Sequence, residues 1–120
     1  MVRPTLEYAS PVWHCGLTQV LSDEIEAVQR RCLRIIFSFL SYSDALQVAA
    51  LETLSARRES AVVKLFSEIK NEGHVLHNLL PVRLHNAGVS VRNFYPYVIP
   101  KAKTSRKLCS LISYCISRRM

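Results

Sequence analysis

The clearest hydrophobic rhythm in the chain begins after Ser22. Ile25, Val28, Cys32, Ile35, Ile36 and Phe39 recur at helical spacing. At 100° per residue they fall within an arc of about 100°, with Arg30, Arg31 and Arg34 on the opposite side. Ser22 offers a hydroxyl to the bare amides of a first turn, and Asp23 and Glu24 suit the positive end of the helix dipole. Glu26 stands four residues before Arg30, the favourable order for a side-chain pair on a helix surface. The spacing therefore predicts an amphipathic helix from Ser22 to about Phe39.

Before it, residues 3–14 are apolar and aromatic, and Pro4 and Pro11 restrict them to short helical pieces. After it, Ser41-Tyr42-Ser43-Asp44 is a second helix start, followed by Ala45, Leu46, Ala49 and Ala50. Ser55 is placed to cap a third helix with an apolar line of Ala56, Val62, Val63, Leu65, Phe66 and Ile69. Gly73 is suited to a left-handed stop, and residues 74–80 have room for one more turn before Pro81. Beyond Pro81 the pattern changes. Val89, Val91 and Phe94 alternate with polar positions, and the prolines at 96 and 100 exclude an interior helix. Lys101 to Lys107 reads as a basic connector, and Leu108, Leu111, Ile112, Cys115 and Ile116 restore helical spacing. The expected fold is mainly α: a small amphipathic helical bundle over residues 1–80, then a basic, partly extended region over 81–120 containing Pro and Tyr and ending in a short helix.

With 49% apolar and 21% charged residues, the chain has the composition of an ordinary globular protein. Its net charge of +7 is unevenly placed. Residues 1–72 carry all nine acids against eight Lys or Arg, whereas residues 73–120 carry eight Lys or Arg and no acid. A basic, acid-free end is suited to polyphosphate, and the same asymmetry also serves a solvated tail. The N-terminal residues lack the apolar run of a signal peptide, so the chain is expected inside the cell, in nucleus or cytoplasm, and not secreted. No window has the roughly 20 apolar residues of a membrane span.

Catalytic chemistry is poorly provided for. The only aspartates, Asp23 and Asp44, each open a predicted helix, where capping and dipole effects account for them. Two-metal nucleotidyl transfer needs two or three carboxylates in one place. Gly16, Gly73 and Gly88 stand alone, so no phosphate loop is present. Cys15, Cys32, Cys109 and Cys115 contain no CxxC pair, and free thiols, buried at Cys32 and Cys115, are expected. His74 and His77 could share a metal on one turn, with His85 beyond Pro81 as the nearest third ligand, but a plain histidine pair is the simpler reading. No metal or cofactor is expected. For binding, Phe94, Tyr95 and Tyr97 lie among Arg92, Lys101 and Lys103, an arrangement suited to single-stranded nucleic acid. Phe94 is assigned to the core, and the tyrosines fit either role. The Arg30, Arg31 and Arg34 face could follow a phosphate backbone or form the wet side of its helix.

A series of blocks in fixed order gives a resemblance. Residues 2–14, Val-Arg-Pro-Thr-Leu-Glu-Tyr-Ala-Ser-Pro-Val-Trp-His, are followed by Leu-Ser-Asp-Glu-Ile-Glu-Ala-Val-Gln-Arg-Arg-Cys-Leu-Arg-Ile-Ile at 21–36. Leu40–Leu46, Leu51–Glu59, His77–Pro81 and Ser113–Ser117 continue it over nearly the whole chain. The series resembles the C-terminal part of non-LTR (LINE- or jockey-like) retrotransposon reverse transcriptases; at Ser113 such proteins often have proline.

The resemblance implies a thumb and post-thumb region lying after the palm. That palm carries a Tyr/Phe-x-Asp-Asp metal-binding motif, and no Asp-Asp occurs here, so no catalytic residue carries over. The terminal Cys/His knuckle of some members has no counterpart in spacing. The expected role is non-enzymatic: contact with an RNA–DNA hybrid or DNA through phosphates, or an inert remnant of the polymerase. An independent helical protein-interaction module derived from such a piece is the alternative. Arg30, Arg31, Arg34, Arg57, Arg58, Lys101, Lys103, Arg106 and Lys107 are the candidate contacts, chosen by charge and position. A thumb that packs on a palm also implies exposed apolar surface, expected at Val12, Trp13, Ile35 or Phe39.

Overall fold

The computed structural model describes residues 3–84, 96–98 and 101–118. The fold is mainly helical. The order is α1 (Arg3–Glu7), α2 (Ser10–Trp13), a 3-10 turn (His14–Gly16), α3 (Gln19–Ile36), α4 (Tyr42–Val48), α5 (Leu54–Ile69), a second 3-10 turn (His77–Leu79), α6 (Ser105–Leu108) and α7 (Leu111–Ser117). The chain forms two compact units, Met1–Ala61 and Val62–Met120, whose boundary falls within α5.

Two helix starts differ from the pattern. The α3 cap is Thr18, whose hydroxyl accepts from the Leu21 amide at 3.4 Å, so the helix begins before Ser22. Thr53, not Ser55, caps α5, accepting from the Ala56 amide at 3.3 Å. In both cases a threonine precedes the expected serine, and either residue type satisfies orphan amides. Ser41 caps α4 as its sequence suggests.

The α4 C-terminus is closed by the Leu51 amide donating to the Leu46 carbonyl (2.9 Å) and the Ala50 amide to that of Gln47 (3.1 Å). This paired closure places Ala50 in the left-handed region at φ 50°. A β-carbon is disfavoured there, so Ala50→Gly is expected to stabilise the fold by about 0.5–1 kcal/mol in denaturant titration. A loss of stability would contradict the strain. Gly73, expected to be left-handed, is not in that region.

In the first unit α3 packs against α4. The face α3 buries is not the apolar arc. Gln29 and Leu33 are buried and Ser22 and Glu26 are half-buried, whereas of the arc only Ile25 and Cys32 are half-buried, Val28, Ile35 and Ile36 are exposed, and Phe39 lies beyond the helix end, 87% exposed. In the second unit Val62, Phe66, Cys115 and Ile116 form the core, with Leu80, Tyr97, Leu111, Ile112 and Tyr114 packed against it. Arg83 and Tyr97 form an antiparallel bridge, flanked by bonds from the Leu84 amide to Pro96 (2.9 Å) and the Val98 amide to Val82 (3.2 Å). The bridge at Tyr97 agrees with the exclusion of an interior helix by the prolines at 96 and 100. Tyr97 thereby serves packing; Val89, Val91, Arg92, Phe94, Tyr95 and His85 lie outside the described residues.

Candidate nucleic-acid interface

Along α3 a row of polar and apolar residues at steps of four and three (Ser22, Glu26, Gln29, Leu33) turns inward. It does so because each polar member finds a partner, which burial requires. Glu26 accepts from the Leu54 amide at 3.0 Å and from the Tyr42 hydroxyl. Gln29 Nε2 donates to the Tyr42 hydroxyl (3.3 Å) and to the Glu52 carbonyl (3.2 Å). Glu26 is thus committed to the α5 start, not to the Arg30 pairing its spacing suggested. Burial first, and then the bond to Glu26, push the Tyr42 phenol above its ordinary value of 10.0.

A raised folded value means that the stabilisation is complete below about pH 10 and is lost as pH climbs through the raised value. Wild-type stability should therefore fall more steeply above pH 10.0 than that of Tyr42→Phe, measured by unfolding at stepped pH. Equal slopes would remove this assignment.

The fixed Tyr42 ring carries the Arg30 guanidinium, 5.0 Å from its centroid. Arg30 and Arg34, one turn apart, border a cleft of about 110 Å³ between α3 and α4, lined also by Leu33, Leu40, Ser41, Tyr42 and Ala45. On the outer side, Ala27, Arg30, Arg31, Arg34 and Ile35 line a shallow concavity. All three arginines are exposed. They form a cationic surface whose guanidinium groups suit anionic oxygens.

The other candidates divide. Arg57 is clamped by Glu7, Nε to Oε1 at 2.6 Å and one Nη to Oε2 at 3.0 Å, and this bond and charge raise its pKa further. A carboxylate on both arms leaves it little to offer a phosphate. Arg58 is a correction: it is 1% exposed, donates to Ser22 Oγ at 2.7 Å and lies over the Trp13 ring at 5.8 Å. It is an interior side chain and cannot reach polynucleotide. Position alone misplaced it, since four residues back from Val62 it falls on the inner line of α5. In the second unit Lys101, Lys103, Arg106 and Lys107 are exposed, the last two in α6, whose cap Thr104 accepts from the Lys107 amide at 3.4 Å.

His74 and His77 are engaged with backbone. His74 Nδ1 accepts from the Leu76 amide (3.2 Å), and His77 Nδ1 donates to the Ile69 carbonyl at the α5 end (3.0 Å). Among the described residues no three His, Cys, Asp or Glu gather to hold a metal, and no helix is long and apolar enough to cross a membrane. Cys15 and Cys115 are buried, Cys32 is half-buried and Cys109 is exposed, none of them in a disulfide; burial of Cys32 was expected and that of Cys15 was not. Sequence reading also missed the Glu26–Gln29–Tyr42 network. Its only signal was the four-three step of polar residues between capping sites. Comparison with protein-family models, curated proteins and solved structures finds no match to this chain.

Proposed function

We propose that this chain is a non-catalytic, thumb-like piece of a non-LTR retrotransposon reverse transcriptase and that it grips nucleic-acid backbone, an RNA–DNA hybrid or DNA, through phosphates. The block order of the sequence supports the origin. The observation that carries the activity is the exposed Arg30, Arg31 and Arg34 surface, which no acid neutralises among the described residues. Lys101, Lys103, Arg106 and Lys107 supply a second exposed cationic stretch. Phosphate contact of this kind positions a duplex without reading its bases. It also releases counterions, so affinity falls steeply with salt.

The test is binding of the purified chain to a labelled hybrid and to duplex DNA across a salt series. Affinity is expected to drop with salt, similarly for different sequences. Arg30→Ala, Arg31→Ala and Arg34→Ala together should flatten the log–log slope by about 2.7, at roughly 0.9 per phosphate contact. Binding that ignores salt, or a triple variant with the wild-type slope, would end this reading. Incorporation of a deoxynucleotide by the pure chain would end its non-catalytic part.

A further inference from the structure

Besides its buried row, α3 carries a second apolar row that its own unit covers only in part, leaving Leu21, Val28 and Ile35 exposed. Leu21, Ile25, Val28, Cys32 and Ile35 follow steps of four, three, four and three. That is the 3.5-residue repeat of a coiled-coil seam, with Leu21, Val28 and Ile35 at one core position and Ile25 and Cys32 at the other. At 100° per residue this seam is centred roughly 110° around the helix from the Ser22–Glu26–Gln29–Leu33 row. Leu21 is 47% exposed, Val28 40% and Ile35 76%, and Ile25 and Cys32 are half-buried. A contiguous apolar line on a long helix is costly to leave in water and fits another helix.

The charges beside the seam choose the occupant. One edge carries Glu24 and Arg31, both exposed and seven residues apart; the other carries half-buried Ser22, buried Gln29, which is held within its own unit, and exposed Ile36. In a parallel pair the first edge would face the second, where there is no charge to meet. In an antiparallel pair the Glu24/Arg31 edge faces itself. Setting Ile25 opposite Val28 of the second copy, and Leu21 opposite its Cys32, brings Glu24 of each chain beside Arg31 of the other. This register overlaps residues 19–34 of both copies, nearly the whole of α3. Sliding by one heptad, so that Val28 meets Cys32 of the second copy, would set Arg31 against Arg31.

We propose that the chain self-associates through antiparallel pairing of α3 along the Leu21–Ile35 seam, held in register by two symmetric Glu24–Arg31 contacts. The proposal does not rest on polynucleotide binding, although Arg31 belongs to both surfaces. Arg30 and Arg34 lie well away from the seam and stay free for phosphate, while Arg31 flanks it.

Sedimentation equilibrium of the full chain is the test. The wild type should show a reversible monomer–dimer equilibrium. Glu24→Arg and Arg31→Glu each replace two attractions by two repulsions, so each should weaken self-association by about tenfold. An equimolar mixture of the two variants restores opposite charges at both contacts and should regain wild-type dimerisation, as should the double variant. Circular dichroism checks that each variant keeps its helix content, and recovery in the mixture excludes misfolding as the cause of the loss. A wild type that stays monomeric at all concentrations, an Arg31→Glu variant that dimerises as well as the wild type, or a mixture that fails to recover would overturn the proposal.

Discussion

Arg58→Ala is expected to lower the unfolding free energy by about 3 kcal/mol, whereas Arg58→Met should stay within about 1 kcal/mol of the wild type. Arg58 is among the largest fully buried side chains described, at 1% exposure. Truncation removes its stem from the interior, ends the 2.7 Å bond to Ser22 and uncovers the Trp13 ring. Each loss has the same sign. Methionine preserves most of the volume and removes a charge whose Nε and Nη1 have no hydrogen-bond partner among the described residues. A buried cation with idle donors keeps its desolvation cost, and an apolar side chain of similar shape does not. Urea titration of the three chains decides the matter. If alanine is tolerated, Arg58 is not structural; if methionine is as damaging as alanine, the guanidinium charge itself holds the unit together.

The second large effect is at Glu26. Its carboxylate accepts from the first amide of α5 and from the Tyr42 hydroxyl, joining α3, α4 and the start of α5 within one unit. Glu26→Ala leaves the Leu54 amide and the phenol without their acceptor. A partly buried donor that loses its partner costs about 1–3 kcal/mol, so a loss of about 2–3 kcal/mol is expected for the pair. Glu26→Gln keeps one acceptor oxygen and should lose about 1 kcal/mol. A double-mutant cycle with Tyr42→Phe would give a coupling energy near zero if the two groups did not interact. Because Tyr42 supports Arg30 from below, Glu26→Ala should also weaken hybrid binding, without altering any residue that faces solvent.

Much of the helical framework was legible because helix periodicity and caps act locally. Ser41 opening α4, the short pieces around Pro4 and Pro11, and the non-helical backbone at Pro96 all follow from interactions within a few residues. The starts of α3 and α5 were displaced for the same reason: Thr18 and Thr53 compete with nearby serines for one local task, and sequence spacing does not rank them. The exposure of Val12, Ile35 and Phe39 was also anticipated, although half-buried Trp13, with its Nε1 donating to the Tyr8 carbonyl at 2.8 Å, was not. The candidate site was only partly legible. Charge marks every arginine alike, and nothing local distinguishes Arg31, which is bare, from Arg57, which meets Glu7 fifty residues away, or Arg58, which is enclosed.

The amino-acid order alone determined the mainly helical character, the placement of all the acids ahead of residue 73, and the lack of an Asp-Asp pair, since these depend on short-range periodicity and composition. Tertiary structure decided which side of α3 became interior. Hydrophobicity favoured the Ile25–Phe39 arc, yet the helix turned Gln29 and Glu26 inward, because Tyr42, Leu54 and Glu52 supply hydrogen bonds that repay their desolvation. Those partners lie 13 to 28 residues along the chain. Only folding brings them together, and with them it leaves an apolar row and three arginines facing outward.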